Sequence, residues 1–354
     1  MRPAAAAMAW NSGSGRKLGS WALSLLVSGV LLYYALRGVR WSAVWHTIAS
    51  AHWQYLAAAC AISSGSYLMR AVRWRILLNA AARFPVSTVF WANMAGYLGN
   101  SFLPARAGEV LRSVLISRRS SLSNSYVLTT ALAERLMDVI ALVLWSAIIL
   151  LGIPSKPEWM KGVSRIMAVV AAAGAVCVLV LPHAEGVVGK VLERIPGPRA
   201  FRTRLLKWAA DALLGLRAFH HWGRLAGFVF LTVVIWMTDA CGAIVTARAL
   251  GLHLTFAMAM LLLAGLGLGS ALPSTPGYVG VYQYAAVSVL APFGISRNAA
   301  LAYILVVQAV GYAVTVAYGL PGLWMMRGTS APSGASVLLP DRGVGAGAPG
   351  KHPQ

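Results

Sequence analysis

One short stretch combines a helix breaker with charged residues inside an otherwise apolar region. Residues 100–109 read Asn-Ser-Phe-Leu-Pro-Ala-Arg-Ala-Gly-Glu, so Pro104 and Gly108 stand beside Arg106 and Glu109. A charge at membrane depth costs roughly 2.5–3.5 kcal/mol on insertion scales, and such charges usually mark a substrate path or a binding site. A helix that begins after Pro104 would present Arg106 together with free backbone N–H groups, which suits a phosphate group.

Two sets of charged residues have the spacing of neighbours on a helix. Arg106, Glu109 and Arg112 share most of one face. Glu134 and Asp138 share another, and Arg135 lies close to Asp138. Opposite charges three or four positions apart can neutralise each other in part. With Asp239, four of the nine acids fall in apolar segments. The plain alternative is that these charges only tie helices together, and this alternative is strongest for Asp239, which has no nearby base in the sequence.

A second stretch repeats the design of the first without its charges. Residues 273–283 read Pro-Ser-Thr-Pro-Gly-Tyr-Val-Gly-Val-Tyr-Gln. The helix breakers in this stretch are Pro273, Pro276, Gly277 and Gly280. The polar side chains of Thr275, Tyr278 and Gln283 could bind the polar part of a lipid headgroup. Turns rich in glycine and proline also occur wherever helices pack closely, so this second signal is weaker than the first.

The composition excludes an ordinary soluble domain. Hydrophobic residues make up 58% of the 354 positions, charged residues only 11%, and the mean hydropathy is +0.69. These values indicate a polytopic membrane protein. The 30 Lys and Arg against 9 Asp and Glu are spread between apolar runs, which favours loops on the cytoplasmic side of a membrane over nucleic-acid binding.

No signature of a metal, a nucleotide or another cofactor stands out in the sequence. Cys60, Cys177 and Cys241 lie in apolar runs without disulfide or metal spacing, which is typical of buried cysteines. His46, His52, His220 and His221 lie in loops without acids or cysteines at ligand spacing. Gly189-Lys190 is followed by Val, so the sequence contains no phosphate-binding loop of the ATPase type. We therefore predict no metal and no cofactor.

The apolar runs predict six full membrane spans, at about 18–36, 53–69, 125–152, 163–182, 225–247 and 299–326. Two further regions, 86–117 and 254–292, each hold two short apolar pieces around a break rich in Pro and Gly. A short piece cannot cross a bilayer, so each region predicts a re-entrant helical hairpin whose broken backbone is buried in protein or faces water. Full spanning by all eight apolar runs is the alternative.

The order of these elements predicts an inverted-topology repeat, with repeat one at about 18–152 and repeat two at about 163–326. Residues 1–17 form a cytoplasmic tail, and residues 327–354 form a disordered tail that is also cytoplasmic. Loops with excess Lys and Arg, among them 70–85 and 183–224, face the cytoplasm of a multi-pass cell-membrane protein. The loop 183–224 either lies on an anionic membrane surface through amphipathic helices or is simply solvated.

Three ordered motifs resemble the membrane region of the lysylphosphatidylglycerol synthase and flippase-like family. They are Leu103-Pro-Ala-Arg-Ala-Gly-Glu-Val-Leu-Arg112, Glu134-Arg135 with Asp138, and Pro273-x-Thr-Pro-Gly-x-x-Gly-Val281. The resemblance covers about residues 18–326. It implies a role in moving modified phospholipids between leaflets, without the aminoacyl transfer that belongs to a separate cytoplasmic domain. One departure is Gln283, where relatives commonly carry an acid, so hydrogen bonding to a headgroup is the role left for it.

The leading hypothesis is a flippase-like transporter of an anionic phospholipid or lipid-linked headgroup, and not an enzyme. Arg106 would hold the substrate phosphate, with Asn100, Glu109 and Arg112 beside it, and the set of Glu134, Arg135 and Asp138 would complete the path or relay protons.

Two alternatives to a transporter stay open. One is an intramembrane transferase or phosphatase that acts on lipid-linked substrates with Glu109 or Asp138 as base. The other is a non-catalytic membrane subunit. A homo-oligomer or a separate lipid-modifying enzyme is a further candidate partner.

Overall fold

A computed structural model describes residues 22–103, 107–152, 221–270, 272 and 275–328, with a few isolated positions between 162 and 176. Within these residues the regular secondary structure is helical, which confirms the predicted all-helical class. Several predicted features lie outside the described residues: the tail 1–17, nearly all of the fourth span and of the tail 327–354, the basic loop 183–224, Pro104, Arg106 and Pro273.

Ten helices of nine or more residues make up the described part: α1 Ala22–Leu36, α2 Trp41–Ala49, α3 Trp53–Leu78, α4 Val86–Phe102, α5 Ala107–Ser117, α6 Asn124–Gly152, α7 Trp222–Ala249, α8 Phe256–Gly269, α9 Val281–Leu290 and α10 Arg297–Met325. Local signals explain several of their starts. Pro85 precedes α4, and the side chains of Thr255 and Ser296 accept hydrogen bonds from the first turns of α8 and α10.

Two of the described helices, α7 and α10, are both long enough and apolar enough to cross a membrane. Helices α1 and α2 are long and apolar enough for a span only if they are taken together, and they meet at an angle of 85°. Helices α3 and α6 have 26 and 29 residues, about 39 and 44 Å at 1.5 Å per residue, but both carry several charges. The presence of six full spans therefore stays a prediction.

Helix α3 corrects one detail of the sequence analysis. The sequence predicts that a span ends at residue 69 and that Arg70 and Arg73 belong to a cytoplasmic loop. The helix instead continues without a break to Leu78, and Arg73 is fully buried. The prediction was wrong because a run of bases is normally solvated, whereas here Arg73 has acidic partners on other helices.

Helices α4 and α5 form an antiparallel hairpin of two short helices. A Cβ atom at Gly108 would lie 1.9 Å from the carbonyl oxygen of Gly96, and one at Gly99 would lie 2.9 Å from the Cα atom of Gly108. The two backbones are thus in direct contact, which only glycine permits. Gly108 therefore lies at a helix crossing, one turn after the break that the sequence predicts.

Helices α8 and α9 form a second hairpin. A Cβ atom at Gly269 would lie 2.9 Å from Val281, and one at Gly265 would lie 3.1 Å from Val289, so these helices also run antiparallel. Gly277 and Gly280 lie between the two helices and have φ angles of 72° and 87°. Glycine adopts such positive φ angles without steric cost. Both predicted pairs of short helices therefore exist, and their re-entry into a membrane stays a prediction.

The turn of the second hairpin lies against the end of α4. A Cβ atom at Gly277 would lie 3.5 Å from the carbonyl oxygen of Ser101, near the end of α4. The carbonyl oxygen of Gly277 accepts hydrogen bonds from Gln308 Nε2 at 3.0 Å and from the Tyr312 hydroxyl at 2.9 Å. The second turn is thereby anchored to the middle of α10.

The helix packing of the first half has counterparts in the second. Helix α3 packs along α7 in antiparallel orientation, with His52 N donating to Ala249 O and Ile76 beside Gly227. The first hairpin packs on α10 and the second on α6, while α5 contacts α6 as α9 contacts α10. The molecule thus has an upper end, where α7 ends and α10 begins, and a lower end, where α3 and α10 end.

The glycine crossing of the first hairpin generates a test. We expect Gly108→Ala to destabilise the protein by about 1–3 kcal/mol, because the new methyl group would overlap the Gly96 carbonyl. The thermal unfolding midpoint of the purified protein in detergent measures this.

Gly65→Ala is the matched control, because a Cβ atom at Gly65 in α3 would have no group within 4 Å apart from the backbone of its own helix. Alanine there gains helix propensity of up to about 1 kcal/mol. Equal midpoints for the two variants would contradict the close contact between α4 and α5.

Candidate functional site

A cavity of about 400 Å³, called the central cavity below, lies between the first hairpin at the end of α4 and the start of α5, the second hairpin, and helices α3, α6, α7 and α10. One side of it is polar, and its charged residues are Arg70, Glu109, Arg135, Asp138 and Asp239. The other side is apolar, with Leu263, Leu266, Val307 and Val310 among its residues. The cavity is therefore amphipathic, and these five charged residues belong to a larger charged cluster.

Helix α5 contributes Glu109 and Arg112 to this cluster. Arg112 Nη2 lies 2.5 Å from Glu109 Oε2, and Arg112 Nη1 lies 2.9 Å from Glu134 Oε2 on α6. Arg112 Nη1 also donates to Asn93 Oδ1 at 2.7 Å. Glu134 is completely buried and Arg112 nearly so. The predicted i, i+3 pair of Glu109 and Arg112 thus forms, and it extends to a second acid.

Helix α3 contributes Arg73, which joins both acids of α6. Arg73 Nη2 lies 2.9 Å from Glu134 Oε1, and Arg73 Nη1 lies 2.6 Å from Asp138 Oδ1. A third contact, from Arg73 Nη2 to Asp138 Oδ2 at 3.0 Å, makes the pairing with Asp138 bidentate. Glu134 is therefore shared between two buried arginines, Arg73 and Arg112.

Arg135 closes the cluster into a ring. Its Nε donates to Glu109 Oε1 at 2.8 Å, and its Nη1 lies 3.6 Å from Asp138 Oδ2. Its side chain is 26% exposed, more than any other charged side chain of the cluster. Arg135 lines the cavity, and its guanidinium is the most exposed cationic group of the cluster.

One branch ties the ring to the second half of the chain. Arg70 on α3 lies 2.5 Å from Asp239 on α7 and 3.8 Å from Asp138. Ser66 also donates to Asp239 at 2.5 Å. Asp239, which lacks a nearby base in the sequence, is thus paired across helices.

We call these eight residues the charge ring: Arg70, Arg73, Glu109, Arg112, Glu134, Arg135, Asp138 and Asp239. Four arginines face four carboxylates, so the ring is formally neutral, and its carboxylates are all those that the described ranges contain. Each guanidinium also lies over an aromatic ring: Arg70 over Trp236, Arg73 over Phe228, Arg112 over Trp74 and Arg135 over Tyr97. Mutual pairing and these cation–π contacts offset the cost of burying the charges.

The second hairpin turn has neutral contacts in place of charges. The side chain of Gln283 is buried, accepts from Gly280 N at 2.7 Å and donates to Gln308 Oε1 at 2.6 Å. Thr275 N donates to Ser28 Oγ at 2.9 Å, and its hydroxyl donates to Val279 O. These polar groups hold the turn together, and Gln283 caps the start of α9.

The structure brings only some of the predicted binding residues to the cavity. Those that line it are Asn100, Glu109, Arg135, Asp138 and Tyr278. Arg112 and Glu134 lie behind that surface in the charge ring, while Thr275 and Gln283 lie within the second turn. Arg106 lies outside the described residues. A substrate role for each of these residues stays a prediction.

Sequence reasoning missed Arg70, Arg73 and the aromatic lining of Tyr67, Tyr97 and Trp236. One signal was available for the arginines: apolar residues continue through 71–78, so the helical run does not end at Arg70. No comparable signal marks the aromatic residues, because tyrosine and tryptophan are common in membrane helices. In the part of the chain that the structure describes, no group of His, Cys, Asp and Glu could hold a metal ion.

The charge ring generates a prediction about stability. Replacing Glu134 with alanine leaves Arg73 and Arg112 each without one partner in a fully buried position. We expect a loss of about 3–5 kcal/mol in the free energy of unfolding, because uncompensated buried charge is costly. Asp239→Asn is the comparison: Asp239 is 19% exposed and pairs with one arginine, so its loss should be smaller. Equal thermal midpoints for wild type and Glu134→Ala would argue against a stabilising ring.

Two known proteins are similar to the chain at low sequence identity. Glycosyltransferase AglD of Haloferax volcanii is 23% identical over 304 residues, which is 75% of this chain and 48% of the relative. A UPF0104 membrane protein of Methanothermobacter thermautotrophicus is 21% identical over 285 residues, or 76% of this chain and 82% of the relative. The chain thus spans about half the length of the glycosyltransferase that it matches. No solved structure matches the chain significantly.

The family described as "Lysylphosphatidylglycerol synthase TM region" matches residues 21–319. This range includes both hairpins and every residue of the charge ring. It confirms the resemblance of the three sequence motifs to the membrane region of that family. The chain is therefore a membrane protein that belongs to the family of the lysylphosphatidylglycerol synthase transmembrane region.

Proposed function

We propose that the chain is a flippase-like transporter that moves a lipid with a phosphate-bearing headgroup between the leaflets of the cytoplasmic membrane. The observation that carries the proposal is the amphipathic cavity, which is lined both by the partly exposed Arg135 and by apolar residues of α8 and α10. Membership in a family named for the membrane region of a lipid synthase supports a function related to membrane lipids.

The cavity has the size and polarity for a headgroup. Its volume of about 400 Å³ lies in the range of small-molecule sites, roughly 300–1,000 Å³. A headgroup would lie against the polar side, and the start of its acyl chains would lie against α8 and α10. Arg135 keeps donor hydrogens for a phosphate, because a guanidinium has five and its close contact to Glu109 uses Nε.

The arrangement of the ring favours binding through Arg135. Glu109 and Asp138 hold its guanidinium from two sides, so little rotamer freedom is left to lose when a phosphate binds. Arg106, which immediately precedes α5 in the sequence, remains the second proposed phosphate ligand. Arg112 and Glu134 support Glu109 from behind and position it.

The paired packing of the two halves supports alternating access. In an inverted-topology repeat the substrate site lies near the bilayer midplane, where broken helices meet. The second hairpin turn meets the end of α4 beside the cavity, in keeping with that arrangement and with re-entrant hairpins. Rocking of one half against the other around the cavity would then expose it to each leaflet in turn.

The charge distribution supports a cytoplasmic lower end. Six described arginines lie there: Arg75, Arg83, Arg118, Arg119, Arg224 and Arg327. Four lie at the upper end: Arg37, Arg40, Arg248 and Arg297. Helix α10 finishes at the lower end, so the C-terminus would face the cytoplasm under the positive-inside rule, and we propose the same side for the N-terminus. The basic loop 183–224 would then meet the anionic inner leaflet.

An intramembrane enzyme is the second candidate, because the relative from Haloferax volcanii is named a glycosyltransferase. The contacts within the ring weigh against Glu109 or Asp138 as a general base. Asp138 accepts from Arg73 through both oxygens, and Glu109 contacts Arg112 and Arg135. A base so engaged has little capacity for a substrate proton. Chemically altered lipid after incubation with the purified chain would instead support the enzyme.

We expect Arg135→Gln to slow lipid translocation by roughly 10–100-fold, since it removes a charge-assisted hydrogen bond of about 1.5–3 kcal/mol. Proteoliposomes containing acyl-labelled fluorescent phosphatidylglycerol, with an added aqueous quencher, report the rate.

Arg248→Gln is the matched control, because Arg248 is an exposed arginine in the last turn of α7, and it should translocate normally. A folded Arg135→Gln protein with the wild-type rate would refute the role of this residue.

Arg106→Ala and Glu109→Gln test the ligands that the sequence motif suggests. Both variants should lose translocation while keeping the wild-type elution profile in size-exclusion chromatography. For Glu109→Gln the physical reason is that Arg135 would lose its close carboxylate partner and shift from its position in the cavity. Normal transport in both variants would exclude this part of the site.

A further inference from the structure

Three exposed arginines gather at the upper end of the molecule, away from the central cavity: Arg37, Arg40 and Arg297. Arg37 and Arg297 line an open groove between the end of α1 and the start of α10, and Arg40 lies next to it. Its residues are Tyr34, Arg37, Gly38, Arg297 and Asn298. None of these lines the central cavity, so the two sites are distinct.

The groove has a defined framework. Arg297 Nη1 donates to Tyr34 O at 3.2 Å and to Arg37 O at 2.5 Å, so Arg297 caps the carbonyl end of α1. Arg40 N donates to Asn298 Oδ1 at 3.1 Å, which joins the start of α2 to α10. These contacts bring together the backbones of three residues that come from three different helix ends.

The positive charge of this groove is not balanced by any described acid. Every carboxylate in the described ranges belongs to the charge ring, and its partners are the four arginines there. Like charges held close together repel each other, so an anion between them would be stabilising. A phosphate suits several guanidinium groups better than a single one.

Aromatic residues place the groove at the level of lipid headgroups. Helix α2 is bent by 85° from α1 and packs through the buried Val44 against α10. If α1 crosses the bilayer, α2 therefore lies along its surface. Trp41 and Trp45 on α2 are 47% and 60% exposed, and Tyr33 on α1 is 62% exposed. Tryptophan and tyrosine prefer this interfacial layer.

We propose that the groove binds the phosphate of an anionic phospholipid in the leaflet at the upper end. Arg37 and Arg40 donate to the phosphate oxygens. Arg297 holds the end of α1, which carries Arg37, through its contacts with the Tyr34 and Arg37 carbonyl groups. The exposed aromatic residues pack against the upper part of the acyl chains, which a free phosphate ion would not use. The site depends on the chain being in a membrane but not on transport, so it stands even if the transport proposal fails.

The test uses the full chain in phosphatidylcholine vesicles that contain a phosphatidylglycerol with a photoreactive headgroup. After irradiation, peptide mapping should find label on residues 33–45 and at the start of α10. Arg37→Gln combined with Arg40→Gln should lower that labelling by roughly tenfold, the effect of losing about 1.4 kcal/mol of binding. Arg248→Gln, an exposed arginine at the same end, should label like wild type.

Three outcomes would overturn the site. Labelling that is unchanged in the double variant would show that the arginines do not bind the headgroup. Equal labelling by a photoreactive phosphatidylcholine would show contact without charge recognition. Loss of labelling when glycerol phosphate is added to the water would identify a site for soluble anions.

Salt titration of the wild-type chain needs no variant: labelling by phosphatidylglycerol must fall as salt rises.

Discussion

The structure depends on the pairing of Glu134 with two buried arginines. A single carboxylate in an apolar interior is costly, and so is each arginine, but together they form the centre of a neutral ring. Because Arg73 comes from α3, Arg112 from α5 and Glu134 from α6, the pairing fixes three helices relative to one another. The link from Arg70 to Asp239 then adds α7. The charges that bind a substrate in the proposed mechanism are thus also those that hold the helices in place.

The two halves of the molecule use different chemistry at similar positions. In the first half, ionic pairs and a glycine crossing hold the hairpin of α4 and α5. In the second half, the amides of Gln283 and Gln308 and the carbonyl of Gly277 hold the turn before α9. Neutral hydrogen bonds contribute about 1 kcal/mol each and are less costly to exchange than buried ion pairs. The two hairpins therefore occupy corresponding positions but are held by contacts of different charge.

The sequence predicted what depends on local spacing. Helical periodicity identified the pair of Glu109 and Arg112 and placed Arg135 close to Asp138, and breaks rich in Pro and Gly located both hairpins. Pairings between distant helices could not be predicted. Arg73 and Asp138 are 65 residues apart, and Arg70 and Asp239 are 169 apart, so no periodicity relates them. The same limit explains why Gln283 was expected at a headgroup, whereas its amide is engaged with Gly280 and Gln308.

The central claim is that the cavity holds a lipid headgroup through Arg135. A density map of the full chain in lipid nanodiscs that contain phosphatidylglycerol tests it most directly. The account predicts a headgroup in the cavity, with its phosphate within hydrogen-bond distance of the Arg135 guanidinium and its acyl chains toward α8 and α10. A cavity occupied only by water, with every headgroup outside the helices, would contradict it.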